Sequence, residues 1–154
     1  MEAAVRLALF EPDIPQNAGT LMRLCACLGV PLDIIEPCGF LLTDKNLKRA
    51  GMDYLERLDM TRHASWNAFQ SAMKDSRLVL LTTKTEDSFL DFKFVKGDIL
   101  IAGRESKGVP DEVHAACPAR ITIPMVEGVR SLNVAVAASI ALSEALRQTG
   151  LFPS

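Results

Sequence analysis

The sequence predicts an α/β domain, a mostly parallel sheet with helices on both faces. Three observations predict it. The chain has 154 residues, enough for one hydrophobic core and too few for two, so residues 1–154 read as a single domain. Short runs rich in Val, Ile and Leu, bounded by Pro, Gly or Asp, recur along it. Between them lie stretches whose apolar residues fall at helical spacing. Strand and helix alternating in this way build a parallel sheet covered on both sides.

Val5–Phe10 is the first strand. Leu21, Leu24, Cys25 and Leu28 then fall at i, i+3, i+4 and i+7 of a helix that Gly29-Val30-Pro31 ends. Leu32–Glu36 is the next strand. Asp44 can cap a short helix running through Arg49, and Ser65 another that carries Trp66, Phe69 and Met73. Leu78–Thr82 and Asp98–Ala102 read as strands, Asp111 opens a short helix at Val113–Ala116, and Arg120–Ile123 is the last strand. The final helix runs from about Leu132 to Gln148 and stops before Gly150. From Leu132 to Leu142 it is apolar or small nearly all round, and such a helix needs cover on more than one side. Either its own chain covers it fully or a second copy does; the reading adopted is a homodimer.

Hydrophobic residues make up 49% and charged residues 23%, which excludes disordered, collagenous and low-complexity classes. With 17 basic and 19 acidic side chains the net charge is −2, so bulk charge cannot bind a polyanion and any nucleic-acid contact must come from a local cluster. The opening residues, MEAAVRLALFEPDIP, lack the basic region and small-residue cleavage pattern of a signal peptide. No apolar run approaches the roughly 20 residues of a membrane span, so no membrane partner is expected. Cys25, Cys27, Cys38 and Cys117 form no Cys-x-x-Cys pair and only two histidines accompany them. Reduced thiols in a cytoplasmic protein without a metal are expected.

In doubly wound sheets ligands bind at the carboxyl ends of strands, and three loops there carry chemistry. The first leads from Glu11 through Asn17 and Gly19 into the helix bearing Arg23. Asn17 is a natural cap. Arg23 lies opposite the apolar stripe, either as a solvated arginine or, with Asn17, as part of a phosphate-binding corner. The second is Gly103-Arg104-Glu105-Ser106-Lys107-Gly108-Val109-Pro110. Glu105 there is either a surface ion pair with Arg104 and Lys107 or a carboxylate placed to hydrogen-bond a substrate. The third runs from Ile123 to Asn133. Ser131 or Asn133 can serve only as a helix cap, or the mixture of apolar, hydroxyl and amide groups can hold a flat, partly apolar ligand such as adenine. Neither the dinucleotide glycine signature nor a P-loop is present.

These loops carry a resemblance. PQNAGTLMRLC at 15–25, GRESKGVP at 103–110 and IPMVEGVRSLNVAVAASI at 123–140 occur in the order seen in the SPOUT superfamily of RNA methyltransferases. IIEPCGF at 34–40, KRAGMDY at 48–54 and LLTTK at 80–84 extend the likeness over essentially the full length. Within the superfamily the chain most resembles the small tRNA wobble-ribose 2′-O-methyltransferases.

The resemblance implies a C-terminal trefoil knot, which periodicity does not reveal. It implies methyl transfer from S-adenosyl-L-methionine, without a metal, to the 2′-hydroxyl of a wobble cytidine or 5-carboxymethylaminomethyluridine in a tRNA anticodon stem-loop. The implied cofactor pocket uses Leu81, Thr82, Gly103, Ile123, Met125, Ser131 and Leu132, and the implied catalytic residues are Asn17, Arg23, Glu105 and Asn133. A guanidinium has no lone pair while charged, so Arg23 is expected to hold phosphate and stabilise the developing alkoxide. Lys45, Lys48, Arg49, Arg104, Lys107 and Arg130 form the expected RNA surface. The chain departs from some relatives at Ser143, where they carry an aromatic residue, and at Arg104, where they carry proline. Two other readings stand beside this one: methylation of another tRNA or ribosomal RNA ribose, and a catalytically silent RNA-binding protein.

Overall fold

The structure, a computed structural model, describes residues 3–40, 55–129 and 131–154. Within them the chain runs β1 (Arg6–Phe10), α1 (Pro15–Leu28), β2 (Leu32–Ile35), a 3-10 turn (Leu55–Arg57), β3 (Met60–His63), α2 (Trp66–Ala72), β4 (Leu78–Leu81), β5 (Ile99–Ala102), α3 (Asp111–Ala116), β6 (Ala119–Ile121) and α4 (Val134–Thr149). The six strands pair in the order β3-β2-β1-β5-β4-β6, and every pairing is parallel. The expected sheet is therefore present. β1 and β5 are neighbours although they lie far apart in sequence, with Leu7 opposite Leu100 and Leu9 opposite Ala102. The winding direction reverses between them, and the loops leaving their carboxyl ends meet.

Side chains alternate across a pleated strand, so each strand feeds two cores. Leu7, Leu9, Leu32, Ile34, Val79 and Leu100 pack with Leu21 and Met22 of α1 and with Ala138, Ala141, Leu142 and Leu146 of α4. On the opposite face Ala8, Phe10, Ile35, Leu80 and Ile101 pack with Trp66 and Phe69 of α2 and with Val113 of α3. The small residues of α4 let α1 lie against it. Much of α4 is thus covered by its own chain, while Val136 stays 47% exposed near its start.

β3 has no counterpart among the expected strands. Its sequence, MTRH, lacks an apolar run, and Thr61 and Arg62 are exposed at the sheet edge, where β2 alone among the described residues pairs with it. β6 is also shorter and earlier than expected, since Thr122 has left the ladder for a bridge to Ser88. The Asp44–Arg49 helix lies outside the described residues. Gly29 ends α1 as expected, with its N–H bonded to the Cys25 carbonyl, and Ser65 caps α2, accepting from the Ala68 N–H at 3.1 Å.

Asp33, on β2, is fully buried. Arg6 on β1 grips its carboxylate at 2.8 and 3.0 Å, and His63 Nε2 on β3 lies 2.8 Å from its Oδ1. Three adjacent strands are tied by one carboxylate. Among the described residues no helix is long and apolar enough to cross a membrane.

Candidate active site

The site is built at the carboxyl ends of β1, β4, β5 and β6. As the chain leaves β1, Glu11 adopts a φ of +44°, uncommon for a residue with a side chain, and its N–H bonds the Ile35 carbonyl at 2.8 Å. Helix α1 then begins at Pro15, whose fixed φ suits a first helical position, and Ile14 precedes it without a side-chain cap. This corrects the expectation that Asn17 caps the helix. Asn17 already sits inside the first turn, where its side chain is free to reach across to other loops.

Its reach explains the motif. Asn17 Nδ2 donates to Glu105 Oε1 in the loop after β5. Asn17 Oδ1 accepts from Asn133 Nδ2 at 3.1 Å. Asn133 is the N-cap of α4, its Oδ1 accepting from the N–H groups of Ala135 and Val136 at 2.8 and 3.2 Å. Sequence reading posed Asn133 as cap or ligand group. The cap uses only its oxygen, which leaves the amide nitrogen for Asn17. The resulting chain is directional: helix N–H groups to Asn133, Asn133 to Asn17, Asn17 to the Glu105 carboxylate, each donor polarised by the acceptor beyond it.

The Glu105 loop is rigid. Arg104 and Gly108 exchange two backbone bonds, at 3.0 and 2.9 Å. A Cβ on Gly103 would lie 3.0 Å from both the Gly108 carbonyl carbon and Val109 Cγ1, so a larger residue here would push the returning strand of the loop outward by a few tenths of an ångström. Arg104 donates Nε to the Gly108 carbonyl at 3.0 Å, lies 5.4 Å from the Phe10 ring centroid and 3.9 Å from Glu11 Oε1. It braces the loop instead of pairing with Glu105. Burial pushes the Glu105 carboxyl above its usual pKa; the Asn17 bond opposes this, and the nearby Asp13 charge adds to it.

Beside this loop opens a cleft of about 510 Å³, within the roughly 300–1,000 Å³ of small-molecule sites. Leu81, Thr82, Gly103, Ile123, Met125, Ser131 and Leu132 all line it, together with Glu105, Asn133, Arg104 and Lys107. Apolar side chains alternate with hydroxyls and a glycine backbone, a donor set that fits a nucleoside-bearing cofactor. Thr83, Lys84, His114 and Ala137 also line the cleft and were not anticipated. Lys84 adjoins LLTT and was within reach of sequence reading. His114, whose buried Nε2 has no hydrogen-bond partner, sits on a short helix without a motif.

Arg23 is exposed on α1 and does not line the cleft. It follows Asn17 by six residues, about 9 Å along the helix axis. Lys107 is exposed at the cleft, whereas Lys45, Lys48, Arg49 and Arg130 lie outside the described residues. Ser143 is exposed and bonds back to the Ile140 carbonyl at 2.8 Å. Among the described residues no group of three or more His, Cys, Asp or Glu could hold a metal ion.

Comparison with known proteins accords with this geometry. The profile of the SpoU rRNA methylase family matches residues 4–143. The tRNA (cytidine(34)-2′-O)-methyltransferase of Beijerinckia indica subsp. indica is 56% identical over 146 residues, covering 94% of this chain and 91% of the relative. A structure solved for insight into the 2-OH methylation of C/U34 on tRNA superposes with a TM-score of 0.89 at 44% identity, covering 95% of this chain and 96% of that one. The SpoU methyltransferase AviRb from Streptomyces viridochromogenes, in complex with the cofactor AdoMet, is 25% identical with a TM-score of 0.86, covering 96% of this chain and 61% of the other.

Proposed function

The chain belongs to the SpoU rRNA methylase family, and on that premise we propose that it transfers a methyl group from S-adenosyl-L-methionine to the 2′-hydroxyl of the tRNA wobble ribose, on cytidine or 5-carboxymethylaminomethyluridine. The observation that carries this reading is the bonded chain from Asn133 through Asn17 to Glu105, which ties three distant segments together beside one cleft whose wall Glu105 and Asn133 share. The reading gains its substrate from the near-full-length likeness to wobble methyltransferases.

Bound in the cleft, S-adenosyl-L-methionine supplies a methyl carbon that is already electrophilic. Leu81, Ile123, Met125 and Leu132 would hold its apolar parts, and Thr82, Gly103 and Ser131 would offer hydroxyl and backbone partners. The ribose hydroxyl is a poor nucleophile, and the protein must orient it and stabilise the charge it develops. Glu105, fixed by Asn17, orients the ribose. Arg23, which lies outside the cleft of its own chain, would act at the cleft of a second subunit, holding an RNA phosphate and stabilising the alkoxide. The proton would pass to a phosphate oxygen or water because a charged guanidinium cannot accept it. Lys107 and Arg104, with Lys45, Lys48, Arg49 and Arg130, receive the anticodon stem-loop.

The functional unit in this reading is a homodimer, one subunit holding the anticodon stem while the other houses the methyl donor. Val126, Val129 and Val136, exposed by 77%, 56% and 47%, lie in and just after the loop bordering the cleft and support it. With a tRNA substrate the enzyme would work in the cytoplasm.

The test incubates tRNA transcripts with the protein and methyl-labelled cofactor and locates the methyl group by mass of nuclease fragments. Label at the wobble ribose alone is expected. Label at another tRNA ribose or on ribosomal RNA would move the substrate, and RNA binding without transfer would leave a silent binding protein. Arg23→Lys with near-normal turnover would overturn the role given to the guanidinium fork.

A further inference from the structure

Asp13 stands outside the motifs, and both of its carboxylate oxygens are engaged across the molecule. The Glu105 N–H donates to its Oδ1 at 3.2 Å, and the Ser106 hydroxyl donates to its Oδ2. From the other side its backbone is clamped. The Gly39 N–H bonds the Pro12 carbonyl at 2.9 Å, and a Cβ on Gly39 would lie 2.9 Å from Asp13 Cα. Asp13 therefore cannot shift toward the 36–40 segment, and it shares with Asn17 and Glu105 the notch between α1 and the β5 loop.

We propose that Asp13 is a positioning residue for the methyl transfer: its carboxylate latches the Glu105 loop to the start of α1 and so holds the Glu105 side chain on Asn17. The proposal deepens the reading above and rests on it. The logic is geometric. Asn17 fixes one oxygen of Glu105, but that bond holds only while the Glu105 backbone stays within reach, and the Arg104–Gly108 pairing makes the loop rigid without anchoring it to α1. Asp13 supplies the anchor, gripping the backbone of Glu105 and the side chain of the next residue. The carboxylate stays ionised for this task. Burial works against it, yet the bonds from Ser106 and from the Glu105 and Ser106 amides hold its pKa below the usual value. Sequence spacing gives no hint of the latch, because its partners lie 92 and 93 residues away.

The test compares Asp13→Ala, Asp13→Asn and Ser106→Ala with wild type. Asp13→Ala should lower kcat by about ten- to a hundredfold at saturating tRNA and cofactor, the scale of a misplaced catalytic group. Its calorimetric affinity for S-adenosyl-L-methionine should stay within about twofold, since Asp13 does not line the cofactor cleft. Asparagine can accept from the Glu105 N–H and donate to the Ser106 oxygen, so Asp13→Asn should recover most of the lost rate. Ser106→Ala, which spares the backbone bond, should fall between. Independently of any activity, the Glu105 amide should exchange its hydrogen about tenfold faster in Asp13→Ala than in wild type. A kcat within about twofold of wild type in Asp13→Ala, or an asparagine variant as slow as the alanine one, would overturn the latch. If wild type methylates no RNA, the function proposed above falls, and the exchange measurement alone decides the latch, an unchanged Glu105 amide refuting it.

Discussion

Asn133 does two things with one side chain. Its oxygen caps α4 and its nitrogen holds Asn17, and the two duties can be separated. Asn133→Ser keeps a capping oxygen and loses the donor, so it should retain stability to within a few tenths of a kcal/mol while turnover falls; Asn133→Ala should lose about 1 kcal/mol as well. Denaturant unfolding beside the methyl-transfer assay reads both. At this scale the sequence was informative where residues belong to motifs. Asn17, Glu105 and Asn133 were named from their segments and are bonded in the fold. Asn17 matters for a different reason than capping, because the helix begins at Pro15, ahead of Asn17. Asp13 and His114 were illegible, since a lone carboxylate or imidazole acquires meaning only from neighbours distant in sequence.

Among the elements, the three inner-lying tie points on β1, β2 and β3 make a sharper forecast than any helix. Arg6→Met removes the guanidinium and leaves the buried Asp33 carboxylate with only His63, which should cost about 3–5 kcal/mol in chemical unfolding. At the other end of the chain, α4 carries Glu144 held by Arg147 and Gln148, and these bonds pull its pKa from 4.5 to about 2. A carboxylate with a depressed folded value contributes stability that is present above its unfolded value and lost as pH falls. Thermal midpoints of the wild type should therefore drop between pH 4.5 and about 2 more than those of Glu144→Gln, as measured across that window. Helix ends proved readable because Gly29, Ser65 and Gly150 act locally. β3 was not, because an edge strand exposed to water needs no apolar run, only a neighbour with free backbone groups.

For the whole molecule, the acidic balance and the basic loops make opposite demands on RNA. If the tRNA is held by a local basic cluster, affinity should fall steeply between low and moderate salt, by about one power of salt for each phosphate contacted. Filter binding across a salt series measures the slope, and replacing Lys107 by Ala should reduce it by about one. The parallel sheet with helices on both faces was legible in the alternation of short apolar runs with helical stretches. The order of its strands was not, since β5 inserts between β1 and β4, both earlier in the chain, and apolar spacing carries no record of that path. A trefoil knot is likewise a property of threading, and only the family resemblance implied it.

That strand order bears on how the protein is made. During synthesis the first strand leaves the ribosome early and finds β2, yet its other edge has no natural mate until Ile99–Ala102 emerges. For that interval the nascent polypeptide carries a bare row of backbone donors and acceptors on Arg6, Ala8 and Phe10, ready to pair with any stray chain. Chains cut short before residue 99 should consequently aggregate rather than persist as a small folded half.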